Sequence, residues 1–288
     1  MSGSHSWVPI NASVMDTFHQ YAKQAVAEFV GTALFGFLGS TACSSPLGNG
    51  LALAACTFMT RGISGGHLNP SVSLAAALTN KMSWSLACIY ATMQVAGAVA
   101  GSLLVALATP GVRIGAGPDH AGLAAGCYVP AHEASMINVL ASEWILTGVL
   151  VTTWYAVHLG RPGFFEVGPL AVGLALSAAM QGATTTGGAA NPARLIAPAL
   201  VFMCPGRKFL WAYIAGQLAA SVCVAVGAWW WHEAPWSDSA RDTFVSDTDR
   251  SFDAVTVRRQ MQQRERDAAG AGVTEPLLTS AGPGINPA

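Results

Sequence analysis

The sequence predicts an all-α membrane protein with six transmembrane helices and two re-entrant half-helices, arranged as an inverted repeat. Three observations lead to this fold class: the composition, the length of the apolar segments, and a duplicated Asn-Pro motif. Hydrophobic residues make up 52% of the 288 residues and charged residues only 10%, whereas soluble proteins carry about 25% charged residues. A soluble domain is therefore excluded.

The charged residues are concentrated toward the end of the chain. Residues 1–231 contain 14 of the 29 charged residues, and residues 232–288 contain the other 15. We therefore predict three parts: a cytoplasmic N-terminal segment (1–22), a membrane domain (23–231) and a disordered cytoplasmic tail (232–288). The net charge of −1 provides no basic surface for nucleic acid. The apolar composition instead indicates the lipid bilayer as the surroundings of the chain.

A helix needs about 20 mostly apolar residues to cross the hydrocarbon core. Six segments approach this length: residues 23–43, 48–64, 84–108, 136–158, 167–184 and 209–231. An even number of spans places both termini on one side of the membrane. Basic residues favour the cytoplasm for that side, because it would hold Lys23, Arg61, Lys81, Arg161 and the six arginines of residues 232–288.

The six cysteines lie mostly in apolar segments and show no C-x-x-C spacing. We therefore expect small buried hydrophobic side chains, with neither a zinc site nor a disulfide framework. No nucleophile, nucleotide-binding loop or other metal-ligand cluster is evident in the sequence. We expect no cofactor, no metal and no enzymatic activity.

The two halves of the sequence resemble each other. Four motifs of the first half return in the same order in the second half, namely Glu28-x-x-x-Thr32 with Glu143-x-x-x-Thr147, Gly50-Leu-Ala-Leu-Ala with Gly173-Leu-Ala-Leu-Ser, Asn69-Pro70 with Asn191-Pro192, and Tyr90-x-x-x-Gln94 with Tyr213-x-x-x-Gln217. Each half would contain three spans and one short segment. Because three is odd, the second half must enter from the opposite face, as in inverted-repeat membrane proteins.

Each Asn-Pro motif begins a short apolar segment. Asn69 and Asn191 suit the N-cap position of a helix, and Pro70 and Pro192 suit the first helical position. About eleven residues at 1.5 Å each cover roughly half of a 30 Å core, so each segment is predicted to be a half-helix. A third copy of the motif, at residues 286–288, has no apolar segment after it and is not counted.

Half-helices that enter from opposite faces would bring two helix N-termini and two asparagine amides together. Each N-terminus carries about half a positive charge, which repels cations and protons. Water is a neutral hydrogen-bond acceptor and can bind the amides of Asn69 and Asn191 as it passes. The sequence therefore predicts a pore for neutral solutes.

The two motifs with their surroundings are Ser64-Gly-Gly-His67-Leu68-Asn69-Pro70-Ser71-Val72 and Gly188-Ala-Ala-Asn191-Pro192-Ala193-Arg194. They resemble the two signature loops of the aquaporin, or major intrinsic protein, family, over roughly residues 20 to 231. This resemblance implies a right-handed six-helix bundle, a pore in every protomer and a homotetramer. The sequence departs from the family pattern at Ser71, where alanine is usual.

The resemblance also implies an outer constriction formed by Asn49, Ala179, Gly188 and Arg194. Arg194 is the best supported, because arginine inside a membrane is functional by default. A shift of one residue would replace Asn49 by Gly48 or Gly50, and Asn49 could also be a simple helix cap.

The family's water-selective members usually have a large aromatic residue and a histidine where this chain has Asn49 and Ala179. We therefore predict a wider mouth that admits glycerol, urea or ammonia besides water. The alternative is a strictly water-selective channel, which is favoured by Leu195, since the family's glycerol channels usually have aspartate at that position.

Glu28 and Glu143 are acidic residues inside predicted spans. A proton-coupled transporter would use them as relays, whereas the resemblance implies that they accept hydrogen bonds from the pore loops. His67 is likewise expected to support its loop and not to bind a metal. A coupled transporter and a non-conducting scaffold of the same fold remain the alternatives to a passive channel.

Overall fold

Eight α-helices and one turn of 3₁₀ helix form the part of the chain that the structure describes. The structure is a computed structural model, and it describes residues 12–42, 45–115, 126–158 and 166–231. The helices are α1 (Ala12–Thr41), α2 (Pro46–Ser64), α3 (Pro70–Leu78), α4 (Trp84–Ala108), α5 (Met136–His158), α6 (Gly168–Gly182), α7 (Pro192–Val201) and α8 (Leu210–Trp231), with the 3₁₀ turn Arg207–Phe209 before α8. No strand occurs within these ranges.

Six of the helices are long and two, α3 and α7, are short, as the sequence predicts. The first helix begins before the predicted first span. The helix α1 begins at Ala12, so it includes about half of the predicted N-terminal segment 1–22. Apolar length marks where a helix enters lipid, but a helix can continue into the polar surroundings, and no glycine or proline interrupts residues 12–22.

The helices pack in pairs that repeat across the two halves. Helix α1 packs on α4, α5 on α8, and α2 on α6. Where α2 meets α6, the backbones nearly touch. A Cβ atom on Gly50 would lie 2.2 Å from the carbonyl oxygen of Gly173, and a Cβ atom on Gly173 would lie 2.4 Å from the carbonyl oxygen of Gly50. Small residues allow this approach between helices in a membrane, and any larger side chain at either position would separate α2 from α6.

Glycines 97, 101, 148 and 173 suggest close helix packing in the sequence, and the structure supports three of them. A Cβ on Gly97 would lie 2.3 Å from the carbonyl oxygen of Phe29. A Cβ on Gly148, in contrast, would have no described heavy atom within 4 Å outside its own helix. The packing role expected for Gly148 is therefore wrong within one protomer.

Length and composition alone identify fewer membrane spans than the repeat does. Within the described residues, three helices are long and apolar enough to cross a membrane: Trp84–Ala108, Met136–His158 and Arg207–Trp230. Helix α6 has only 15 residues, and α1 and α2 carry buried polar side chains such as Glu28 and Asn49. The polar side chains of α1 and α2 serve the site described below and lower the mean hydropathy of these two helices. Helix α6 is instead too short to be counted as a span.

Some sequence expectations lie outside the described residues. These are the tail at residues 232–288 with its third Asn-Pro copy, the chain before residue 12, and the positions of Arg161 and Cys43. All eight helices belong to one compact unit, Met1–Pro235.

Candidate pore and its outer constriction

The two short helices begin at the Asn-Pro motifs, and each asparagine caps its own helix. The side-chain oxygen of Asn69 accepts a hydrogen bond from the backbone N–H of Ser71 at 2.9 Å. The side-chain oxygen of Asn191 accepts one from Ala193 at 2.9 Å and a longer one from Arg194 at 3.4 Å. Both predicted N-caps are therefore present, with the following proline as the first helical residue.

The side-chain amides of the two asparagines hold the opposite loops. Nδ2 of Asn69 donates to the carbonyl oxygen of Ala190 at 2.8 Å, and Nδ2 of Asn191 donates to that of Leu68 at 2.8 Å. Leu68 and Ala190 have φ angles of 50° and 47°, in the left-handed region that costs a residue with a side chain about 1 kcal/mol or more. This strained conformation persists because the N–H and the carbonyl oxygen of each of these two residues are both hydrogen-bonded. The N–H groups bond Glu28 and Glu143, and the carbonyl oxygens bond the two asparagines.

Glu28 fixes the first loop. One carboxylate oxygen accepts hydrogen bonds from the hydroxyl of Ser64 at 2.6 Å and the N–H of His67 at 3.0 Å. The other accepts from the N–H of Leu68 and the side-chain amide of Gln94, both at 2.7 Å. These loop donors would otherwise be buried without partners, at a cost of about 1–3 kcal/mol each.

Glu143 does the same for the second loop. Its carboxylate accepts hydrogen bonds from the N–H of Ala189 at 3.3 Å, the N–H of Ala190 at 3.0 Å and the side-chain amide of Gln217 at 2.7 Å. Glu28 and Glu143 are each fully buried. The duplicated glutamate and glutamine motifs thus converge on equivalent places in the two halves.

The duplicated tyrosines complete the support. The hydroxyl of Tyr90 donates to the carbonyl oxygen of Ser64, and that of Tyr213 donates to the carbonyl oxygen of Thr186, both at 2.8 Å. Each tyrosine therefore ties α4 or α8 to the start of a pore loop. The sequence repeat contains these tyrosines, but only the structure gives them a partner.

His67 and Ser71 also lie at the first loop. The Nδ1 atom of His67 is 3.1 Å from the hydroxyl of Ser73, and its ring contacts Tyr90 and Trp154 edge-on. The hydroxyl of Ser71, the departure from the family pattern, donates to the carbonyl oxygen of Gln217 at 3.3 Å. This hydroxyl thus bonds α8, and Asn69 and Asn191 make equivalent cap and cross-loop hydrogen bonds.

Arg194 is 6% exposed and is held from three sides. Its Nη2 atom donates to the side-chain oxygen of Asn49. Its guanidinium carbon lies 4.5 Å from the ring centroid of Phe35 and 5.5 Å from that of Tyr128, distances that suit cation–π attraction. Among the described residues, its Nη1 atom is buried and has no hydrogen-bond partner.

The structure places Asn49, and not its neighbours, against Arg194. Asn49 lies in the first turn of α2, where Ser45 is the N-cap, and its amide donates to the carbonyl oxygen of Ser45 at 3.0 Å. Gly50 points toward Gly173 of α6. Asn49 therefore combines the role of a helix-end hydrogen bond with a contact to Arg194.

Ala179 and Gly188 are both buried near the second loop. A Cβ atom on Gly188 would lie 2.9 Å from the Cβ of Ala183 and 3.0 Å from the Cα of Met180, and its φ is +69°. The site thus requires glycine at 188 for both space and backbone conformation.

One cavity lies between the two halves, and of the four predicted constriction residues only Arg194 lines it. It is lined by side chains from both halves, including both motif asparagines and the arginine: Phe35, Leu53, His67, Asn69, Val72, Leu150, Trp154, Val172, Leu176, Asn191 and Arg194. Most of its wall is apolar. The polar groups are few and lie close to the two half-helices.

Comparison with known proteins decides the family. The family model described as "Major intrinsic protein" matches residues 15–230. The chain belongs to the major intrinsic protein family, the aquaporins. It is therefore a passive channel for water or small solutes in a membrane, and not an enzyme.

Individual relatives and one solved structure agree with this assignment. The chain is 32% identical to a probable aquaporin TIP3-2 of Oryza sativa subsp. japonica, over 77% of this chain and 86% of the relative. It is 33% identical to aquaporin-8 of Mus musculus, over 73% of this chain and 82% of the relative. The X-ray structure of the aquaglyceroporin from Plasmodium falciparum is similar in fold, with a TM-score of 0.60 at 22% identity, covering 72% of this chain and 95% of that one.

The aquaporin fold accounts for the whole arrangement: six spanning helices and two half-helices in an inverted repeat. One sequence expectation about it is wrong. Cys127 and Cys204 form a disulfide with a Cα–Cα distance of 5.6 Å. They are 77 residues apart in the sequence and meet only because the segment before α5 packs beside the end of α7, so no local spacing could reveal the pair.

Sequence reasoning also missed two aromatic residues of this aquaporin. Phe35 on α1 and Tyr128 in the segment before α5 place rings against Arg194, although the four constriction positions themselves contain no aromatic. Tyr128 directly follows the disulfide residue Cys127. The position of Phe35, seven residues after Glu28 and thus on the same helix face, was the available signal.

Proposed function

We propose that this aquaporin conducts water and small uncharged solutes such as glycerol, urea or ammonia, and that it excludes protons and ions. The crossed hydrogen bonds of the two asparagines carry this proposal. Each amide has two N–H groups; one is used on the opposite loop, and the side-chain oxygen is used to cap the helix. The second N–H of each amide is the donor that remains for the lumen, and a water oxygen can accept a hydrogen bond from it.

Charge exclusion follows from the same arrangement. Two helix N-termini begin at this point, and each contributes about half a positive charge. Arg194, the third residue of the second half-helix, adds a full positive charge in surroundings from which water is largely removed. A cation or a proton would lose its hydration there and gain no anionic partner, because both nearby carboxylates already accept hydrogen bonds from the loops and glutamines.

The constriction that we propose consists of Asn49, Ala179, Gly188 and Arg194. Ala179 and Gly188 carry little or no side chain, so the constriction that we propose has no bulky group at these two positions. The buried Nη1 atom of Arg194, which has no partner among the described residues, can donate to the oxygen of a solute. A polyol or amide with several hydrogen-bonding groups fits a site that has one polar side and one apolar side.

A strictly water-selective channel is the second candidate. The rings of Phe35 and Tyr128 beside Arg194 favour it, because they occupy space at the mouth. Leu195, by contrast, packs against Val139 and Tyr213 in the protein core and has no direct effect on the size of the mouth.

A coupled transporter is disfavoured by the hydrogen bonds of the two glutamates. Glu28 accepts hydrogen bonds from four donors, and Glu143 accepts them from both loop amides and from Gln217. A proton relay must give up and regain such bonds in every cycle, which would release both pore loops each time. We propose a structural role for Glu28, Glu143 and His67.

We further propose that both termini face the cytoplasm, that residues 23–231 form the channel domain, and that four copies assemble. Disulfides persist in oxidising compartments, so the bond between Cys127 and Cys204 supports a non-cytoplasmic location for that face. It lies opposite the termini in a chain with six spans. Chemical cross-linking in membranes tests the tetramer, and labelling of a single added cysteine in the tail tests the orientation.

A permeability panel on purified protein in liposomes tests the proposal. Stopped-flow light scattering is measured with water, glycerol, urea and ammonia, with and without a pH gradient. We expect fast water flux, measurable flux of at least one neutral solute and no dependence on the gradient. Glycerol, urea and ammonia impermeability would leave only the water-selective channel, and flux driven by the pH gradient would contradict a passive channel.

A further inference from the structure

Trp154 lines the same cavity as Arg194 and both asparagines. It follows Glu143 by eleven residues on α5, which corresponds to about 16 Å along the helix axis. The next residue, Tyr155, donates from its hydroxyl to the carbonyl oxygen of Ala75 in α3 at 2.9 Å. Trp154 therefore lies beside the first half-helix, on the side of the asparagines away from Arg194.

The indole of Trp154 is fixed by its neighbours. The ring of His158 stacks on it at 4.7 Å with an interplanar angle of 14°, and the ring of His67 contacts it edge-on at 4.7 Å. His158 also donates from Nδ1 to the carbonyl oxygen of Trp154 at 3.0 Å. Stacked and edge-to-face ring pairs add about 0.5–1.5 kcal/mol each beyond burial, so this ring does not swing aside easily.

This position gives Trp154 a direct influence on pore width. It is 1% exposed and is first in volume among the fully buried side chains. The outer constriction, in contrast, has alanine and glycine at two of its four positions. A solute that passes Arg194 and its aromatic neighbours Phe35 and Tyr128 therefore meets a second bulky ring at Trp154.

We propose that Trp154, backed by His158 and facing His67, forms a second, inner constriction that sets the upper size limit for uncharged solutes. Water passes this ring, whereas polyols larger than glycerol are held back by it. This inference rests on the proposed channel function and assigns size selection to the inner half of the pore. Trp154 is a specificity-determining residue, and His158 is a positioning residue behind it.

The experiment compares Trp154→Ala and Trp154→Phe with the wild type in liposomes. Flux of water, glycerol and erythritol is measured and divided by the amount of reconstituted protein. We expect Trp154→Ala to raise the erythritol-to-water flux ratio several-fold and Trp154→Phe to raise it less. Trp211→Ala is the matched control, because Trp211 is 57% exposed on α8 and does not line the cavity.

A second measurement is independent of solute size. In Trp154→Cys, a thiol would line the lumen, so Hg²⁺ should inhibit water flux more strongly than in the wild type, whereas Trp211→Cys should behave like the wild type. The inner constriction alone would be overturned if the Trp154 variants conduct water with the wild-type erythritol-to-water flux ratio and Hg²⁺ inhibits Trp154→Cys no more than the wild type. An absence of flux in the wild type as well would overturn the channel function and the inner constriction together.

Discussion

Asn191 donates a hydrogen bond from its side-chain amide to the carbonyl oxygen of Leu68 at 2.8 Å, across the junction between the two halves of the chain. Asn69 makes the equivalent bond to Ala190. The pore loops therefore hold each other. Each asparagine caps a helix and ties the opposite loop, and we propose as a third task that it keeps one donor for the lumen. The following predictions test these tasks and their support.

Replacing the side-chain amide of Asn191 by a carboxylate separates its helix-capping role from its role as a hydrogen-bond donor. Asn191→Asp keeps an oxygen that caps α7 but removes the N–H groups and adds a negative charge. That charge offsets the partial positive charge of the two helix ends, so we expect water flux to fall and cation or proton leakage to rise. A pH-sensitive dye inside liposomes measures the leak, and unchanged charge exclusion would contradict the proposed mechanism.

The buried carboxylate of Glu28 is predicted to support stability. In Glu28→Gln, an amide N–H₂ would face groups that are themselves donors, including the N–H of Leu68. Each orphaned buried donor costs about 1–3 kcal/mol, so we expect a lower unfolding temperature in detergent. Glu133→Gln changes an exposed carboxylate and is the control; equal thermal stability of the two variants would disprove the support.

Arg194 is predicted to need its planar guanidinium. Arg194→Lys keeps the charge but loses the flat group that contacts the ring of Phe35 and the oxygen of Asn49. We expect it to raise the glycerol-to-water flux ratio, and Arg194→Val to raise it further and to weaken charge exclusion. Arg207→Val, an exposed arginine of the 3₁₀ turn, should leave both properties as in the wild type.

The disulfide is predicted to stabilise the outer face. It closes a loop of 77 residues, and the chain-entropy model gives about 4.5 kcal/mol for a loop of that order. Cys127→Ser should therefore lower the unfolding temperature and alter solute selection, because Tyr128 beside Arg194 loses its anchor. Cys223→Ser, a free exposed cysteine, is the control for the loss of a thiol, and an identical melting temperature would argue against this role.

Small side chains at the outer constriction are predicted to matter for solutes larger than water. Ala179→His adds a ring at a position where this chain has only a methyl group. We expect glycerol and urea flux to fall while water flux changes little, as measured by stopped-flow light scattering. Equal glycerol flux in this variant and the wild type would mean that Ala179 does not border the solute path.

The sequence by itself determined the membrane class, the inverted repeat and the pore motifs, because each depends on local patterns. Apolar length, an asparagine followed by proline, and motifs that return at a nearly constant offset need no knowledge of distant contacts. The duplicated Glu, Tyr and Gln residues could also be found in this way. The family resemblance implied the pore loops as partners of the glutamates, whereas the partners of the tyrosines could not be read from the sequence.

Only the tertiary structure decided which distant residues meet. The bond between Cys127 and Cys204, and the rings of Phe35 and Tyr128 against Arg194, depend on how segments far apart in the sequence pack together. The helical face of Trp154 was readable, but its contact with the ring of His67 was not. Periodicity gives the direction of a side chain within its own helix, whereas the width of a pore depends on the distance between helices.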